Sequence, residues 1–107
     1  MTDAVVLDKS ALARMRERTR QSREHMASVM FKWESVESAL SLAAAKGQSS
    51  IIIRPEPEMD VSETETAKAF VALLQEAGFV AEWEKKRPVD GEPWTQLRIS
   101  WGADAKG

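Results

Sequence analysis

The feature that most constrains this chain is an apolar stripe that recurs every three or four residues from Leu12 to Ala43. The members of the stripe are Leu12, Met15, Thr19, Ser22, Met26, Val29, Trp33, Val36, Leu40 and Ala43. Spacings that alternate between three and four define the a and d positions of a heptad repeat, and no proline or glycine interrupts them. The pattern predicts one long helix, beginning at Asp8 or Ser10 and ending near Lys46, before Gly47.

This helix is predicted to be longer than the domain that carries it. At 1.5 Å per residue the stripe is about 48 Å long, whereas a compact chain of 107 residues is only about 34 Å across. We therefore expect the N-terminal half of the helix to extend beyond its own domain and to need a partner there. The polar residues Thr19 and Ser22 in the stripe weaken such an association and can fix its register.

The rest of the chain predicts a small body over residues 47–102. Ile51 to Ile53 form a short β-branched strand before Pro55. Ser62 and Glu65 have the spacing of a capping box, which opens a helix that runs to about Ala77 and closes at Gly78. Residues 79–86 and 94–101 alternate between apolar and polar side chains, and a loop around Asp90-Gly91 joins them as a hairpin.

The order of these elements predicts an α+β fold, with a long N-terminal helix followed by a β-α-β-β unit. A right-handed crossover makes the first two strands run in the same direction, and the hairpin reverses the third. We expect a three-stranded mixed sheet of order 1-3-2, with Leu97 and Ile99 at the centre of the core and the helices packed on one face. Residues 1–46 then comprise a short tail and the long helix, and residues 103–107 form a frayed tail.

Charge is distributed unevenly along the chain. The net charge is -2, but residues 9–32 carry seven basic and two acidic residues, whereas residues 33–107 carry eight basic and thirteen acidic residues. A basic arm is thus joined to an acidic body, an asymmetry that suggests an anionic partner or contact between arm and body. Because the sequence has no cysteine, no long apolar run and no signal-peptide pattern, we expect a cytoplasmic protein without membrane spans.

Candidates for catalysis are few. His25 is the only histidine and lies among arginines, where cationic neighbours disfavour a bound metal. No phosphate-binding glycine pattern and no GxSxG turn is present. The acidic residues Glu56, Glu58, Asp60, Glu63 and Glu65 are typical of a solvated loop and a helix start. We expect no enzymatic activity, no cofactor, no metal site and no small-molecule substrate.

Two binding functions remain. In the first, the helix binds a second copy or another protein: Leu12, Met15, Met26, Val29 and Trp33 form the apolar contact, and Arg16, Arg18 and Arg23 select an acidic counterpart. The alternative is a nucleic-acid-binding regulator whose helix lies along phosphates and contacts them through Arg14, Arg16, Arg18, Arg20 and Arg23. The acidic body opposes extended contact with DNA, and we favour the first function.

Three segments also carry a resemblance. They are Ala43-Ala44-Ala45-Lys46-Gly47 before the strand that begins at Ser50, the helix end Gln75-Glu76-Ala77-Gly78-Phe79, and the closing strand Leu97-Arg98-Ile99-Ser100-Trp101. Over residues 37–101 the chain resembles a loose group of small, mostly uncharacterised phage and prophage proteins. The resemblance implies an α/β domain and a phage origin, and it implies no activity.

Overall fold

The structure is a computed structural model that describes residues 10–102. Its helices are α1 (Ser10–Met30), α2 (Trp33–Ala45) and α3 (Glu65–Glu76), and its strands are β1 (Ser50–Ile53), β2 (Val80–Lys86) and β3 (Trp94–Ser100). The tails predicted at residues 1–8 and 103–107, and the helix start proposed at Asp8, lie outside the described residues. The radius of gyration is 18.1 Å, well above the roughly 13 Å of a compact chain of this size.

The long N-terminal helix is confirmed, but it ends at Met30 instead of continuing to Lys46. Lys32 has an extended backbone, with φ -86° and ψ 119°, and its carbonyl accepts the first hydrogen bond of α2 from the amide of Val36 at 3.0 Å. A short break at Phe31 and Lys32 therefore separates α1 from α2, in a segment that contains no proline or glycine.

The break has a geometric cause, because two different sides of the N-terminal segment must face the same core. Ala27 and Val36 are both buried, as are Phe31 and Leu40. The two members of each pair are nine residues apart, which is two and a half turns at 3.6 residues per turn. In one straight helix they would point in opposite directions. The break at Lys32 changes the phase of the helix, so that all four side chains reach the core.

The sheet has the predicted order β1-β3-β2. Both hydrogen-bonded pairs are antiparallel, so the sheet is antiparallel rather than mixed, although β1 and β2, which do not pair, run in the same direction. Ile99 lies opposite Ile51 on one side and Ala81 on the other. This register places the apolar positions of the three strands on one face, as the alternation predicts.

The core lies between that face and the three helices. Leu97 and Ile99 have no exposed surface and occupy its centre, as predicted. The buried residues packed around them are Ala27, Phe31, Val36, Leu40, Val61, Ala67, Phe70 and Leu74. Because all three helices contribute to this one cluster, the prediction that the helices cover a single face of the sheet is confirmed.

Helix α3 begins two residues later than the capping box predicts. Its N-cap is Thr64, whose hydroxyl accepts a hydrogen bond of 3.1 Å from the amide of Ala67. Ser62 does not cap the helix, because its amide and hydroxyl both donate to Asp60 Oδ1, at 2.9 Å and 2.6 Å. The predicted stop is confirmed at Gly78, where φ is +99°, a conformation that side-chain-bearing residues rarely adopt.

Candidate interaction surface

Helix α1 packs on the body with a side that the heptad pattern does not mark. The side chain of Ala27 is fully buried, and that of Phe31, one turn further on, is almost so. Phe31 stacks on Phe70 at a ring-centroid distance of 5.0 Å and meets the edge of Trp83 at 6.2 Å. Successive residues of a helix are rotated by about 100° about its axis. The a and d positions of α1 therefore do not face the contact that Ala27 and Phe31 make with the body.

The α1 stripe is therefore left largely exposed. We use this name for the a and d positions of the helix, which are Leu12, Met15, Thr19, Ser22, Met26 and Val29. The exposed fraction is 57% for Leu12, 50% for Met15 and 51% for Val29, while Met26 is partly buried against the core. Four of the five predicted apolar contact residues thus lie along one side of α1.

The fifth predicted contact residue, Trp33, lies elsewhere. It is the first residue of α2, beyond the break, and its ring is tilted over Phe70 at 6.4 Å. It is 46% exposed and lines a cavity of about 410 Å³ between α2 and α3, together with Phe70, Leu73 and Phe79. The structure therefore separates Trp33 from the α1 stripe, which a continuous helix would not have done.

The five arginines predicted to contact nucleic acid divide into two groups. Arg20 donates two hydrogen bonds to Glu17, at 3.0 Å and 2.6 Å, and these hold the pKa of the Glu17 carboxyl below its usual value. Arg14 donates to the hydroxyl of Ser10 at 2.6 Å. Among residues 10–102, the other three, Arg16, Arg18 and Arg23, make no ion pair.

These three arginines are the ones that the sequence assigned to an acidic protein partner. Arg16 and Arg23 flank the α1 stripe on one side, and Arg18 flanks it on the other, since they occupy e and g positions of the heptad. Their charges are available to a partner, whereas those of Arg14 and Arg20 are already engaged within α1.

A carboxylate on α1 fixes the orientation of the helix on the body. Glu24 Oε2 accepts a hydrogen bond of 2.7 Å from the amide of Glu65, and Oε1 accepts one of 3.1 Å from the hydroxyl of Thr66. These bonds occupy the N-terminus of α3, where a negative charge is favoured. Chiefly because of the Glu65 amide, and despite partial burial, the pKa of Glu24 is lowered. The sequence gives no signal of this contact, which joins residues 41 positions apart.

A groove runs between the α1 stripe and the body. The α1 wall contains Met15, Thr19 and Ser22 of the stripe together with Arg18 and Arg23, and the body wall contains Met59 and Glu92; the volume of the groove is about 300 Å³. The stripe is therefore bordered on the body side by one more methionine and by an acidic side chain. A second helix laid on the stripe would contact these two residues as well.

A second and larger groove lies on the other side of Met15. It has a volume of about 530 Å³, with Arg16, Arg20 and Arg23 along α1 and Asp60, Glu63 and Glu65 on the body. All three acids already have partners within the body. Glu65 and Glu63 lie 3.9 Å and 3.8 Å from the ammonium group of Lys68, and Asp60 accepts from Ser62 and from Thr95.

No buried side-chain nitrogen or oxygen atom of the described residues lacks a hydrogen-bond partner. Thr95, which is buried, donates to Asp60 at 3.2 Å and accepts from the amide of Val61 at 3.3 Å. On the open face of the sheet, Glu84 accepts from Gln96 and from Arg98, both at 2.7 Å. Among residues 10–102, no group of three or more His, Asp or Glu side chains is placed to hold a metal ion.

The tryptophans offer little surface for stacking bases. Trp83 and Trp101 lie on the core side of the sheet, with Trp101 edge-on to Phe79 at 6.4 Å. Trp94 projects from the opposite face of the sheet but is only 9% exposed, and the guanidinium of Arg54 lies over its ring at 4.7 Å. Base stacking on the sheet, which an exposed tryptophan would favour, would require Arg54 to move away.

Comparison with known proteins identified no relative of this chain. No protein-family model matches the chain, and no curated protein and no solved structure is significantly similar to it. Within the part of the chain that the structure describes, no helix is both long enough and apolar enough to cross a membrane.

Proposed function

We propose that this protein is a non-enzymatic interaction module whose α1 stripe binds another protein chain. One observation carries the proposal: the break at Lys32 leaves most heptad positions of α1 exposed, whereas those of α2 from Val36 onward enter the core. Val36, Leu40 and Ala43 on α2 are buried, whereas Leu12, Met15 and Val29 on α1 are each exposed by half or more.

The size of the exposed apolar surface suits a reversible contact. Isolated exposed apolar residues are ordinary on a protein surface. Leu12, Met15 and Val29, however, lie along one side of a single helix. Covering a half-exposed Leu, Met or Val side chain stabilises a complex by about 1 kcal/mol. Met15 is a flexible side chain that adapts to different partners. Arg16, Arg18 and Arg23 beside the stripe favour an acidic surface on the bound chain and speed its association.

The proposal is tested by placing charge on the stripe. The double variant Leu12→Lys/Met15→Lys is expected to lose association in sedimentation velocity while keeping the melting temperature of the parent chain, because both side chains are exposed. Leu42→Lys on α2 is the matched control, since Leu42 is 60% exposed and lies outside the stripe. Equal loss in both variants, or in neither, would mean that the stripe is not the contact surface.

A nucleic-acid-binding regulator is the second candidate, and the free cations of Arg16, Arg18 and Arg23 support it. A labelled duplex DNA and a labelled single-stranded RNA serve as probes. Phosphate contact predicts binding that weakens steeply with salt and is lost in the variant Arg16→Gln/Arg18→Gln/Arg23→Gln. A largely apolar protein contact depends little on salt, so the two functions separate in one titration.

The phage origin is also a proposal. It rests on the resemblance of residues 37–101 to small phage and prophage proteins.

A further inference from the structure

We propose that the chain bound by the α1 stripe is a second copy of this protein, lying antiparallel to the first. The inference rests on the proposed function and names its partner. In this arrangement Leu12 lies opposite Val29 of the second copy, Met15 lies opposite Met26 of the second copy, and Thr19 lies opposite Ser22 of the second copy. Every a position then meets a d position, which is the pairing of antiparallel helices.

The stripe is self-complementary in this register. A two-fold interface must place the same surface on both copies so that each contact occurs twice. The stripe has two apolar residues at each end and two small polar residues, Thr19 and Ser22, in the middle. Its pattern is therefore the same from either end of the helix. Apolar side chains therefore meet at both ends of the contact, and the hydroxyls of Thr19 and Ser22 meet in the middle, where they fix the register.

Charge favours the antiparallel arrangement over the parallel one. Residues 9–32 carry a net charge of +5 and residues 33–107 a net charge of -5. The two basic arms lie side by side in either arrangement, because positions 12–29 all belong to the arm. Parallel helices would in addition set the two acidic bodies side by side, which places like charges together. Antiparallel helices place the two bodies at opposite ends of the contact and bring the N-terminal turns of each arm, with Arg14, Arg16 and Arg18, towards the acidic body of the other copy, which is favourable.

The groove beside the stripe supports the same geometry. Met59 and Glu92 form the body wall of this groove, next to Met15, Thr19 and Ser22. The second helix would therefore contact the body as well as the stripe. Glu92 lies in this groove with Arg18 and Arg23 of its own chain, and Met59 would extend the apolar contact.

Cysteine cross-linking tests the orientation. Because the sequence contains no cysteine, any disulfide between two chains must join the introduced residues. A disulfide forms only between residues whose Cα atoms lie within about 7 Å. A mixture of Leu12→Cys and Val29→Cys chains is expected to form the mixed disulfide dimer, and each variant alone is expected to remain largely uncross-linked. Leu12→Cys mixed with Leu42→Cys is the matched control. Efficient self-cross-linking of each single variant, or no mixed product, would overturn the antiparallel register.

A photo-cross-linker at position 15 then separates failure of this inference from failure of the proposed function. The full chain carrying benzoylphenylalanine in place of Met15 is irradiated in the cells that make it. A product of about 24 kDa, twice the 11.9 kDa of one chain, containing peptides of this chain alone, is the expected result. A product that contains a different protein overturns the second copy but leaves the stripe as a contact surface. No product at all overturns both.

Discussion

The carboxylate of Glu24 lies against the first turn of α3, where it accepts a hydrogen bond of 2.7 Å from the amide of Glu65. This contact, together with the packing of Ala27 and Phe31, determines which side of α1 faces the body. The heptad positions of α1 are consequently turned to the side, and the exposed stripe is a result of how the helix is anchored.

Replacing Glu24 by Gln should loosen this anchor. The amide keeps the shape of the side chain but loses the charge at the helix N-terminus and one of the two acceptor oxygens. We expect a lower melting temperature and faster hydrogen exchange at the amides of Glu65 and Thr66. Glu17→Gln is the control, because Glu17 pairs with Arg20 on α1 and makes no hydrogen bond to α3. Equal effects of the two variants would show that Glu24 does not anchor the helix.

Acid should release the same anchor. The pKa of Glu24 is held below its ordinary value of 4.5, chiefly by the Glu65 amide, so the folded state binds the proton less readily than the unfolded state. The stabilisation is therefore complete above the unfolded pKa and is lost as the pH falls through the folded pKa. The difference in melting temperature between the parent chain and Glu24→Gln should be largest above about pH 5 and should shrink on acidification. A difference that grows with acidification would contradict this assignment.

Phe31 at the break is expected to be the most sensitive position of the N-terminal segment. Its ring is buried between Phe70 and Trp83, and Phe31→Ala should lower the free energy of unfolding by about 3–5 kcal/mol. Val29→Ala, two residues earlier on the exposed stripe, should change it by no more than about 0.5 kcal/mol. Urea unfolding at low protein concentration measures both. Similar losses would mean that α1 packs through its heptad side.

Thr95 links β3 to the loop before α3. Thr95→Val leaves the amide of Val61 without its acceptor and should cost about 1–3 kcal/mol. Burial is the largest single effect on Asp60, but the bonds from Ser62 and Thr95 and the charge of Lys85 outweigh it and lower its pKa. The variant should therefore also raise the pKa of Asp60, measured by carbon NMR of the carboxyl group. Thr95→Ser, which keeps the hydroxyl, should restore both properties, and failure to do so would refute the role of the hydrogen bonds.

Local patterns predicted much of the body. Alternation placed Leu97 and Ile99 at the centre of the core, and the crossover and hairpin rules gave the strand order. The stops at Gly47 and Gly78 followed from their place after apolar helical runs. These features depend on spacing within a few residues, which a sequence displays directly.

The break at Lys32 could not be predicted in the same way. The heptad pattern runs through residues 26–43 without interruption. Ala27 and Phe31, which are off this pattern, are buried only because of how α1 packs on the sheet. The sequence feature that could have indicated the break is Phe31, a large apolar residue that lies nine positions before Leu40 and off the heptad pattern. The Glu24 contact depends on where α3 lies in space, and the choice of Thr64 over Ser62 as N-cap depends on the bonds that Asp60 makes.

The most direct test of the central claim is the absolute mass of the chain in solution, measured by light scattering at low and at high salt. A second copy on the α1 stripe predicts a mass near 24 kDa, twice the 11.9 kDa of one chain, which persists at high salt and falls to that of one chain in Leu12→Lys/Met15→Lys. A mass near 11.9 kDa in both salts at every protein concentration would contradict it.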